Sequence, residues 1–266
     1  MEHALGLLAG DPDAKVLAGG HSLLPAMKLR VARPSKLVDI GRLSDLARVR
    51  DAGTHVAIGA LATHSAVQRD PLLQEHCPIV STTAGKVGDP QVRHRGTIGG
   101  SLAHGDPASD LPTVMLALAA ELVIVGGAGE RTVGAADFFN GVFQTAVGQG
   151  ELLTEIRVPK LGDSTGWSYL KYHRRAQDWA TVGVAALVHR DNGTPVAASV
   201  ALTNMGGTPL RAAAVEDAVA AGASAAEAAA LAADGTDPSS DTAASAEFRK
   251  HLARVLTRRA LAEALE

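Results

Sequence analysis

The sequence has 266 residues, enough for one large domain or two of ordinary size with a substantial apolar core. Hydrophobic residues make up 46% and charged residues 20%, which excludes a disordered or fibrous chain. The net charge of −3 produces no long-range field that would attract nucleic acid or an anionic membrane. The single cysteine, Cys77, excludes an internal disulfide and cannot hold an iron–sulfur cluster or a structural zinc. Any metal-based redox centre is therefore expected on another chain.

The first residues, Met1-Glu2-His3-Ala4, lack the basic and apolar regions of a secretory signal, and a helix is expected to begin near Glu2. No run of residues approaches the ~18 apolar positions that cross a membrane. We therefore expect a cytoplasmic location.

The next 30 residues predict a βαβ unit. Lys15–Leu17 has the pattern of a strand, Gly19-Gly20 that of a tight turn, residues 22–30 that of a helix and residues 37–40 that of a second strand. Such a unit implies that its two strands are parallel.

The middle of the chain mixes helices and strands. A strand over residues 56–59 precedes two or three short helices between residues 63 and 84, with Asp70 as a cap and Pro71 in the first turn. The chain then enters a second glycine-rich stretch, which we expect to be a loop.

Three further elements are predicted before residue 160. A helix is expected over residues 111–120 with Asp110 as its N-cap, and a hairpin over residues 121–133. A strand over residues 152–158 is closed by Pro159.

The polar, glycine-bearing residues 161–166 are the expected domain boundary. This division gives an N-terminal domain over residues 1–163, with subdomains of about 1–52 and 53–163, and a C-terminal domain over residues 166–266.

The C-terminal domain has an α+β pattern, because only helices follow its strands. The three predicted strands cover residues 167–173, 180–189 and 196–203. The low-complexity residues 220–245 predict a surface helix with loose loops. The last helix is expected to lie across the sheet on an apolar face made of Phe248, Leu252, Val255, Leu256 and Ala260.

Two glycine pairs are the main chemical signal, Gly19-Gly20 and Gly99-Gly100. Paired glycines after a strand let successive backbone N–H groups point to one place, which suits phosphate oxygens. Neither motif is the common dinucleotide fingerprint or a triphosphatase loop, and a single glycine pair is more often only a tight turn. The residues favour a phosphate site without naming its ligand.

Residues 15–25 (KVLAGGHSLLP) and residues 88–101 (GDPQVRHRGTIGGS) resemble the FAD-binding medium subunits of the molybdenum hydroxylases. That family includes aerobic carbon monoxide dehydrogenase and the flavin part of xanthine dehydrogenase. The resemblance continues through residues 106–110, residues 150–153 and Arg174-Arg175, and covers nearly the whole chain.

The resemblance implies an α+β fold: a two-subdomain FAD-binding domain, with a small βαβ part and a mixed or antiparallel sheet, then a three-stranded sheet with helices. It implies one non-covalent FAD, with the first loop on the pyrophosphate and the second on the pyrophosphate and ribityl side. Asp110 would accept from a sugar hydroxyl, and the backbone of Leu152 and Leu153 would pass the isoalloxazine edge. The predicted cofactor-binding residues are Lys15, Val16, Leu17, Ala18, Gly19, Gly20, His21, Ser22, Leu23, Gly88, Thr97, Gly99, Gly100, Ser101, Ala103, His104, Asp110, Leu152, Leu153 and Lys171.

The chain departs from the family at two points. Family members usually carry a longer N-terminal stretch, and Ser101 stands where xanthine-type members have Asn. The carbon monoxide dehydrogenase branch resembles this chain more closely, in His21 and in residues 101–104 (SLAH).

Other reactive side chains have less specific interpretations. His21, His94 and His104 are not spaced as metal ligands, so no metal site is expected. Residues 20–23 (GHSL) match the start of the Gly-x-Ser-x-Gly motif that holds a hydrolase nucleophile, but Leu24 replaces its second glycine. Ser22 is therefore expected to cap a helix or to bind phosphate.

Two groups of residues have both a structural and a functional interpretation. The cations Arg93, Arg95, Lys171, Arg174 and Arg175 are either a solvated edge or lie near flavin or a partner. The aromatic side chains either pack along strands or shield one flavin face; they are Trp167, Tyr169, Tyr172 and Trp179.

The implied function is electron transfer, without catalysis of substrate oxidation by this chain. FAD would receive electrons from 2Fe-2S clusters of a small subunit and pass them to an external acceptor, a quinone in preference to NAD, while a large subunit holds the molybdenum cofactor. We expect a dimer of such heterotrimers in the cytoplasm, in contact with the inner face of a quinone-reducing membrane. The alternatives are a xanthine-, aldehyde- or nicotinate-type hydroxylase subunit, a stand-alone flavin oxidoreductase, and a scaffold without flavin.

Overall fold

The computed structural model describes all 266 residues. The chain begins with the predicted βαβ unit, preceded by a helix: α1 (Glu2–Ala9), β1 (Lys15–Leu17), α2 (Leu23–Lys28) and β2 (Leu37–Asp39). The two strands pair in parallel, with Val16 opposite Val38, as predicted. Helix α2 ends earlier than predicted, because Arg30 has a positive φ of 58° and turns the chain away.

The middle of the chain contains most of the elements. After a 3₁₀ turn (Ser44–Ala47) they are β3 (Val49–Asp51), β4 (His55–Gly59), α3 (His64–Arg69), α4 (Pro71–His76), α5 (Pro78–Gly85), α6 (Pro90–Arg95), α7 (Ile98–His104), α8 (Asp110–Ala117), β5 (Glu121–Gly126), β6 (Gly129–Gly134), α9 (Ala135–Phe138), β7 (Phe139–Gly141), β8 (Gln144–Thr145) and β9 (Leu152–Pro159).

Five of these strands form one antiparallel sheet in the order β3-β4-β9-β5-β6. The predicted strand, hairpin and central strand are all present, and β3 is an addition at the edge. Strand β9 lies in the centre, with both neighbours antiparallel to it, and most of its side chains are buried.

The short helices start where the sequence supplies a cap. The side chains of Thr63, Asp70, Asp89 and Thr97 each accept a backbone N–H in the first turn of α3, α4, α6 and α7. The prediction of a glycine-rich loop after residue 88 is therefore wrong: the segment forms two capped helices, α6 and α7. Capping by Asp89 and Thr97 compensates for the poor helix propensity of the glycines.

The C-terminal part is a four-stranded antiparallel sheet with three helices. Its elements are β10 (Thr165–Tyr172), β11 (Val182–Asp191), β12 (Thr194–Thr203), β13 (Leu210–Arg211), α10 (Ala213–Ala220), α11 (Ala225–Ala230) and α12 (Ala246–Leu265). The three predicted strands are present, and the two-residue β13 adds a fourth. Within residues 220–245 the structure contains α11 and otherwise irregular chain.

Helix α12 packs on β10 and β11, as predicted, and three of the five predicted apolar residues are buried in that contact. Leu252, Leu256 and Ala260 are buried, whereas Phe248 is 41% exposed. Arg249 is buried in its place and donates to the carbonyl of Thr181 and, at 2.6 Å, to Asp241. Hydrogen bonding to those two groups offsets the cost of burying the guanidinium, which periodicity alone does not reveal.

The C-terminal sheet has a core on each face. One face packs with α10 and α12, and the other contributes Tyr169, Ala185, Leu187 and Ala201 to the large core of the N-terminal part. A third, smaller core lies between α1, the βαβ unit and the start of β9. No helix is both long enough and apolar enough to span a bilayer.

Candidate functional site

The first glycine loop presents a row of free backbone donors. It joins β1 to α2, and Gly20 has a φ of +77°, a conformation that glycine adopts without strain. The backbone N–H groups of residues 19–22 donate to no acceptor in the protein. Ser22 occupies the N-cap position, yet its side chain makes no capping bond. Four successive free N–H groups and a free hydroxyl are the donor set that binds an anionic oxygen cluster.

The first loop rests directly on the segment before α7. A Cβ added to Gly19 would lie 2.2 Å from the carbonyl oxygen of Arg95 and 2.8 Å from the Cα of Gly96. A Cβ added to Gly100 would lie 3.9 Å from the Cβ of Ala18. The two glycine motifs, 80 residues apart in the chain, therefore meet at one place, as the resemblance implies.

The second glycine motif does not present free donors. The N–H groups of Ile98 and Gly99 donate to the carbonyls of Ala62 and Ala60, both at 2.9 Å, and the N–H of Gly100 donates to Thr97 Oγ1 at 3.1 Å. Gly99 is buried, and its added Cβ would lie 2.4 Å from the Cβ of Ala60. These glycines permit close packing against the turn after β4, and the expected concavity of N–H groups is absent here.

The exposed side of α7 carries the other residues predicted in this motif. Gly100 and Ala103 are exposed, and Ser101 and His104 are partly exposed. Because residues three and four apart share a helix face, Gly100, Ala103 and His104 form one surface. His104 also packs against Phe143, with ring centroids 4.9 Å apart.

The beginning of β9 lies against the first loop's βαβ unit. Leu152 is buried in the small core against which Val16 and Ala18 pack, and Leu153 is buried in the large core. Both residues pair with β5, while pairing with β4 extends only to Glu155. The structure thus brings together the first loop, α7 and the start of β9.

Asp110 is not the N-cap of α8, because Ser109 occupies that position. The Asp110 side chain is buried, accepts from Tyr169 Oη at 2.6 Å, and pairs with Lys171 Nζ at 2.9 Å. Burial raises the pKa of Asp110, and the Lys171 ammonium and the Tyr169 hydroxyl oppose that rise. Lys171 itself is 3% exposed. The pair joins α8 to β10 across the two parts of the chain.

This geometry limits the hydrogen-bonding capacity that Asp110 and Lys171 retain for a ligand. Each carboxylate oxygen of Asp110 already has one donor and retains one lone pair for another. Lys171 also donates to the carbonyl of Lys86 at 3.3 Å. Contact of Asp110 or Lys171 with a flavin therefore stays a prediction.

Gly88 lines a shallow cavity of about 380 Å³, with Lys86, Arg93 and His173 among its other residues. Arg93 donates to the carbonyls of Val87 and Gly88 at 3.1 and 3.2 Å, which holds this turn in place. None of the first-loop residues lines this cavity.

The four Tyr and Trp residues do not form one cluster. Tyr169 is buried beside Asp110, and Trp167 packs at the edge of the large core. Tyr172 contacts Phe248 edge to face, and Trp179 is 59% exposed on the segment between β10 and β11. Of the four, Trp179 offers the largest exposed ring surface.

Sequence reasoning missed the turn between β4 and α3, residues 59–64, which supports the second motif. Ala60 and Ala62 accept its N–H groups, and the N–H of His64 donates to Gly96. Alanine side chains carry no chemical signal, so this role of Ala60 and Ala62 follows from tertiary contact alone.

Comparison with known proteins identifies the family of this chain. Residues 1–161 match the family described as FAD binding domain in molybdopterin dehydrogenase, and residues 167–264 match CO dehydrogenase flavoprotein C-terminal domain. The chain therefore belongs to the FAD-binding subunits of the molybdenum hydroxylases, and is an oxidoreductase subunit whose cofactor is FAD.

Individual relatives are similar over nearly their full length. The carbon monoxide dehydrogenase medium chain of Hydrogenophaga pseudoflava is 40% identical over 94% of this chain and 88% of its own. The 6-hydroxypseudooxynicotine dehydrogenase complex subunit alpha of Paenarthrobacter nicotinovorans is 38% identical over 100% of this chain and 92% of its own. A solved structure of the Hydrogenophaga pseudoflava carbon monoxide dehydrogenase superimposes with a TM-score of 0.96 at 41% identity, covering 98% of this chain and 93% of that one.

Proposed function

We propose that this chain is the flavin-bearing electron-transfer subunit of a molybdenum hydroxylase complex of the carbon monoxide dehydrogenase type. The observation that carries this proposal is the row of four free N–H groups in the first loop, in a chain that matches the flavin subunits along its whole length. FAD, when bound, supplies a redox centre that accepts electrons singly and gives them up in pairs.

The residues present fit FAD. The N–H groups of residues 19–22 would bind pyrophosphate oxygens, and the close packing of Gly19 on Arg95 and Gly96 holds the loop in position. The exposed face of α7, with Gly100 and Ser101, would line the adjoining part of the cofactor. The start of β9, at Leu152 and Leu153, has a strand on one side only, and its other edge would face the ring.

Electrons would reach this chain from a partner. The single cysteine is buried, and burial raises the pKa of its thiol to about 12, so Cys77 is an inert thiol. We propose a small subunit with 2Fe-2S clusters and a large subunit with the molybdenum cofactor, assembled as a dimer of heterotrimers. The relatives named medium chain and complex subunit support this assembly.

A surface beside the first loop is suited to a partner. Leu29 and Val31, just after α2, are 76% and 81% exposed, and neither Lys28, Arg30 nor Arg33 forms an ion pair. Exposed apolar side chains rimmed by charges mark interaction surfaces. We propose that the iron–sulfur subunit covers this surface, close to the flavin that it would reduce.

We also propose a substrate class and an electron acceptor for the complex. We propose carbon monoxide as the substrate of the complex, because the carbon monoxide dehydrogenase medium chain is 40% identical. The alternative is a hydroxylated nicotine-type heterocycle, because a 6-hydroxypseudooxynicotine dehydrogenase subunit is 38% identical. A quinone is the preferred acceptor, reached at the inner face of a membrane by the assembled complex. A division into domains near residues 161–166 is part of the same proposal.

The test is reconstitution. The chain purified alone should absorb in the flavin bands, release all of its flavin in acid, and fail to oxidise carbon monoxide, purines or aldehydes. Co-expression with its partner subunits should give a complex whose flavin is bleached by substrate. Turnover of substrate by the purified single chain would contradict the proposal.

A matched pair of variants tests the partner surface. Leu29→Asp with Val31→Asp should prevent assembly while FAD content stays unchanged. Val196→Asp, at a residue 43% exposed in the C-terminal sheet, should assemble normally. Normal assembly of the Leu29/Val31 variant would remove this surface from the interface.

A further inference from the structure

The tip of the β7–β8 hairpin holds an aromatic residue in a strained backbone conformation. Val142 and Phe143 form the two-residue turn between β7 and β8, and Phe143 has a φ of +56°. Hairpin turns favour glycine or asparagine at a positive φ, because a bulky L-residue resists that conformation. Phe143 is the only aromatic residue of the chain with a positive φ. Strain of this kind persists where the surrounding structure enforces it, and it concentrates at functional sites such as ligand clamps.

Contacts with the end of α7 hold Phe143 in this conformation. Its backbone N–H donates to the carbonyl of Gly105, the C-cap residue of α7, at 3.0 Å. Its ring lies against the ring of His104, with the centroids 4.9 Å apart and the planes tilted by 43°. A Cβ added to Gly105 would lie 3.0 Å from Cγ2 of Thr145, so β8 also approaches the helix end. The hairpin is therefore docked on α7, which sets the position of the Phe143 ring.

Despite these contacts, much of the Phe143 side chain is open to solvent. Phe143 is 56% exposed, so its ring gains little from burial. Glycine would adopt the same backbone conformation without the strain. Neither burial nor turn geometry therefore accounts for phenylalanine at this position, whereas a ligand that covers the ring would.

The exposed face of α7 connects Phe143 to the first loop. Gly100 and Ala103 lie on this face, and their small side chains leave it open. At one end a Cβ added to Gly100 would lie 3.9 Å from the Cβ of Ala18, beside the first loop. At the other end His104 contacts Phe143, about 6 Å further along the helix axis. A ring that is joined to a pyrophosphate through a sugar or a ribityl chain would reach Phe143 across this open face.

The aromatic pair at the end of α7 is uncharged. Burial lowers the pKa of His104, and the charge of Asp106 opposes this lowering less strongly. The imidazole is therefore largely neutral near pH 7. Aromatic side chains attract other flat aromatic rings, which stack on them or meet them edge to face.

We propose that Phe143 is a further cofactor-binding residue, whose exposed ring stacks on a planar ring of FAD, the isoalloxazine or the adenine. The inference rests on the proposed placement of the pyrophosphate at the first loop. Both ring systems of FAD are planar and aromatic, so they share the chemistry that Phe143 recognises. Because the hairpin already holds the Phe143 ring in place, binding FAD costs little side-chain ordering.

Two substitutions at Phe143 separate stacking from folding. Phe143→Gly relieves the strain and removes the ring, so its urea midpoint should equal or exceed that of wild type, while the dissociation constant for FAD rises about tenfold. Phe143→Tyr keeps an aromatic ring and the strain, so its affinity for FAD should stay within about threefold of wild type. Val142→Ser, at the neighbouring residue that is 53% exposed, is the control and should leave FAD affinity unchanged.

A third substitution identifies which ring of FAD is bound. An electron-rich indole that stacks on an isoalloxazine gives a charge-transfer absorbance on the long-wavelength side of the flavin bands. This absorbance in Phe143→Trp with bound FAD would assign the isoalloxazine to Phe143. Binding of FAD by Phe143→Trp as tightly as by wild type, without this absorbance, would assign the adenine.

Equal FAD affinity of Phe143→Gly and wild type would overturn the inference. If Phe143→Gly binds FAD normally but fails to assemble with the partner subunits, the hairpin tip contacts a protein and not the cofactor.

The proposed placement of the pyrophosphate has its own test. Gly20→Val blocks the first loop and should abolish FAD binding, because a β-branched residue resists the positive φ of Gly20. If Gly20→Val binds FAD normally, the site itself is misplaced and the inference falls with it. If Gly20→Val fails and Phe143→Gly binds normally, only the role of Phe143 is wrong.

Discussion

The two glycine motifs have similar sequences but different structural roles. In the first, the N–H groups of residues 19–22 remain free, and Gly20 has a positive φ. In the second, Gly99 and Gly100 lie in a helix and their N–H groups have protein partners. A glycine pair therefore indicates close backbone approach, and the surrounding structure decides whether a ligand or another segment of the protein makes that approach.

The neighbours of each motif explain the difference. The first loop leaves a two-stranded parallel sheet whose next element, α2, is short and largely unburied. The second follows α6 and lies on the turn at Ala60–Ala62, which supplies two carbonyl acceptors. Substitutions at matched positions test this contrast.

The largest effect is expected at Gly99. In Gly99→Val the new side chain would lie within 2.4 Å of Ala60 in a buried site, where only backbone movement makes room. We expect a loss of stability of at least about 3 kcal/mol and little folded protein, measured by yield and thermal melting. Gly127→Ala, in the open turn of the β5–β6 hairpin, should fold normally, and comparable losses in the two variants would contradict this account.

Asp110→Ala should be the next largest, because it leaves the Lys171 ammonium buried without its counter-charge. We expect a loss of about 3–5 kcal/mol in urea unfolding, and weaker FAD binding as a consequence of the altered junction. Adding Lys171→Met should recover most of the stability. If the double variant recovers stability but not FAD affinity, Asp110 or Lys171 also contacts the flavin.

Acid should destabilise the chain through His64. Its pKa is lowered from 6.5 to about 4 in the folded state, so the stabilising contribution is present above pH 6.5 and is lost as pH falls through the window from 6.5 to 4. The full loss is on the order of 3 kcal/mol. Urea midpoints should fall over this window, and less steeply in His64→Phe; equal slopes would show that other groups dominate.

The smallest effect on stability is expected at two glycines with positive φ, one in the first loop and one in an ordinary turn. Gly20 and Gly53 both have positive φ, 77° and 83°. Replacing either by Ala should cost about 1 kcal/mol, because an L-residue resists that conformation. Only Gly20→Ala should also weaken FAD binding, since it tilts the free N–H groups. Equal FAD affinity in both variants would mean that the first loop is not the binding loop.

The sequence was sufficient to predict the features that depend on residues close together in the chain. The parallel βαβ unit, the hairpin, β9 and the three long C-terminal strands follow from periodicity and turn chemistry, which act over a few residues. The family resemblance rested on contiguous motifs, and it also holds for the fold. Capping at Thr63 and Asp89 was equally local, yet helix α6 was missed, because glycines nearby suggested a loop.

Contacts between distant segments decided the rest. The sequence could not show that Ala60 and Ala62 would take the N–H groups of the second motif, or that Asp110 would pair with Lys171, 61 residues away. Nor could it show that Arg249, and not Phe248, would be buried in α12. Each outcome depends on which groups meet after folding. A backbone donor stays free only if the tertiary structure brings no acceptor to it, and a charged side chain is tolerated in the core only if the tertiary structure brings it a partner.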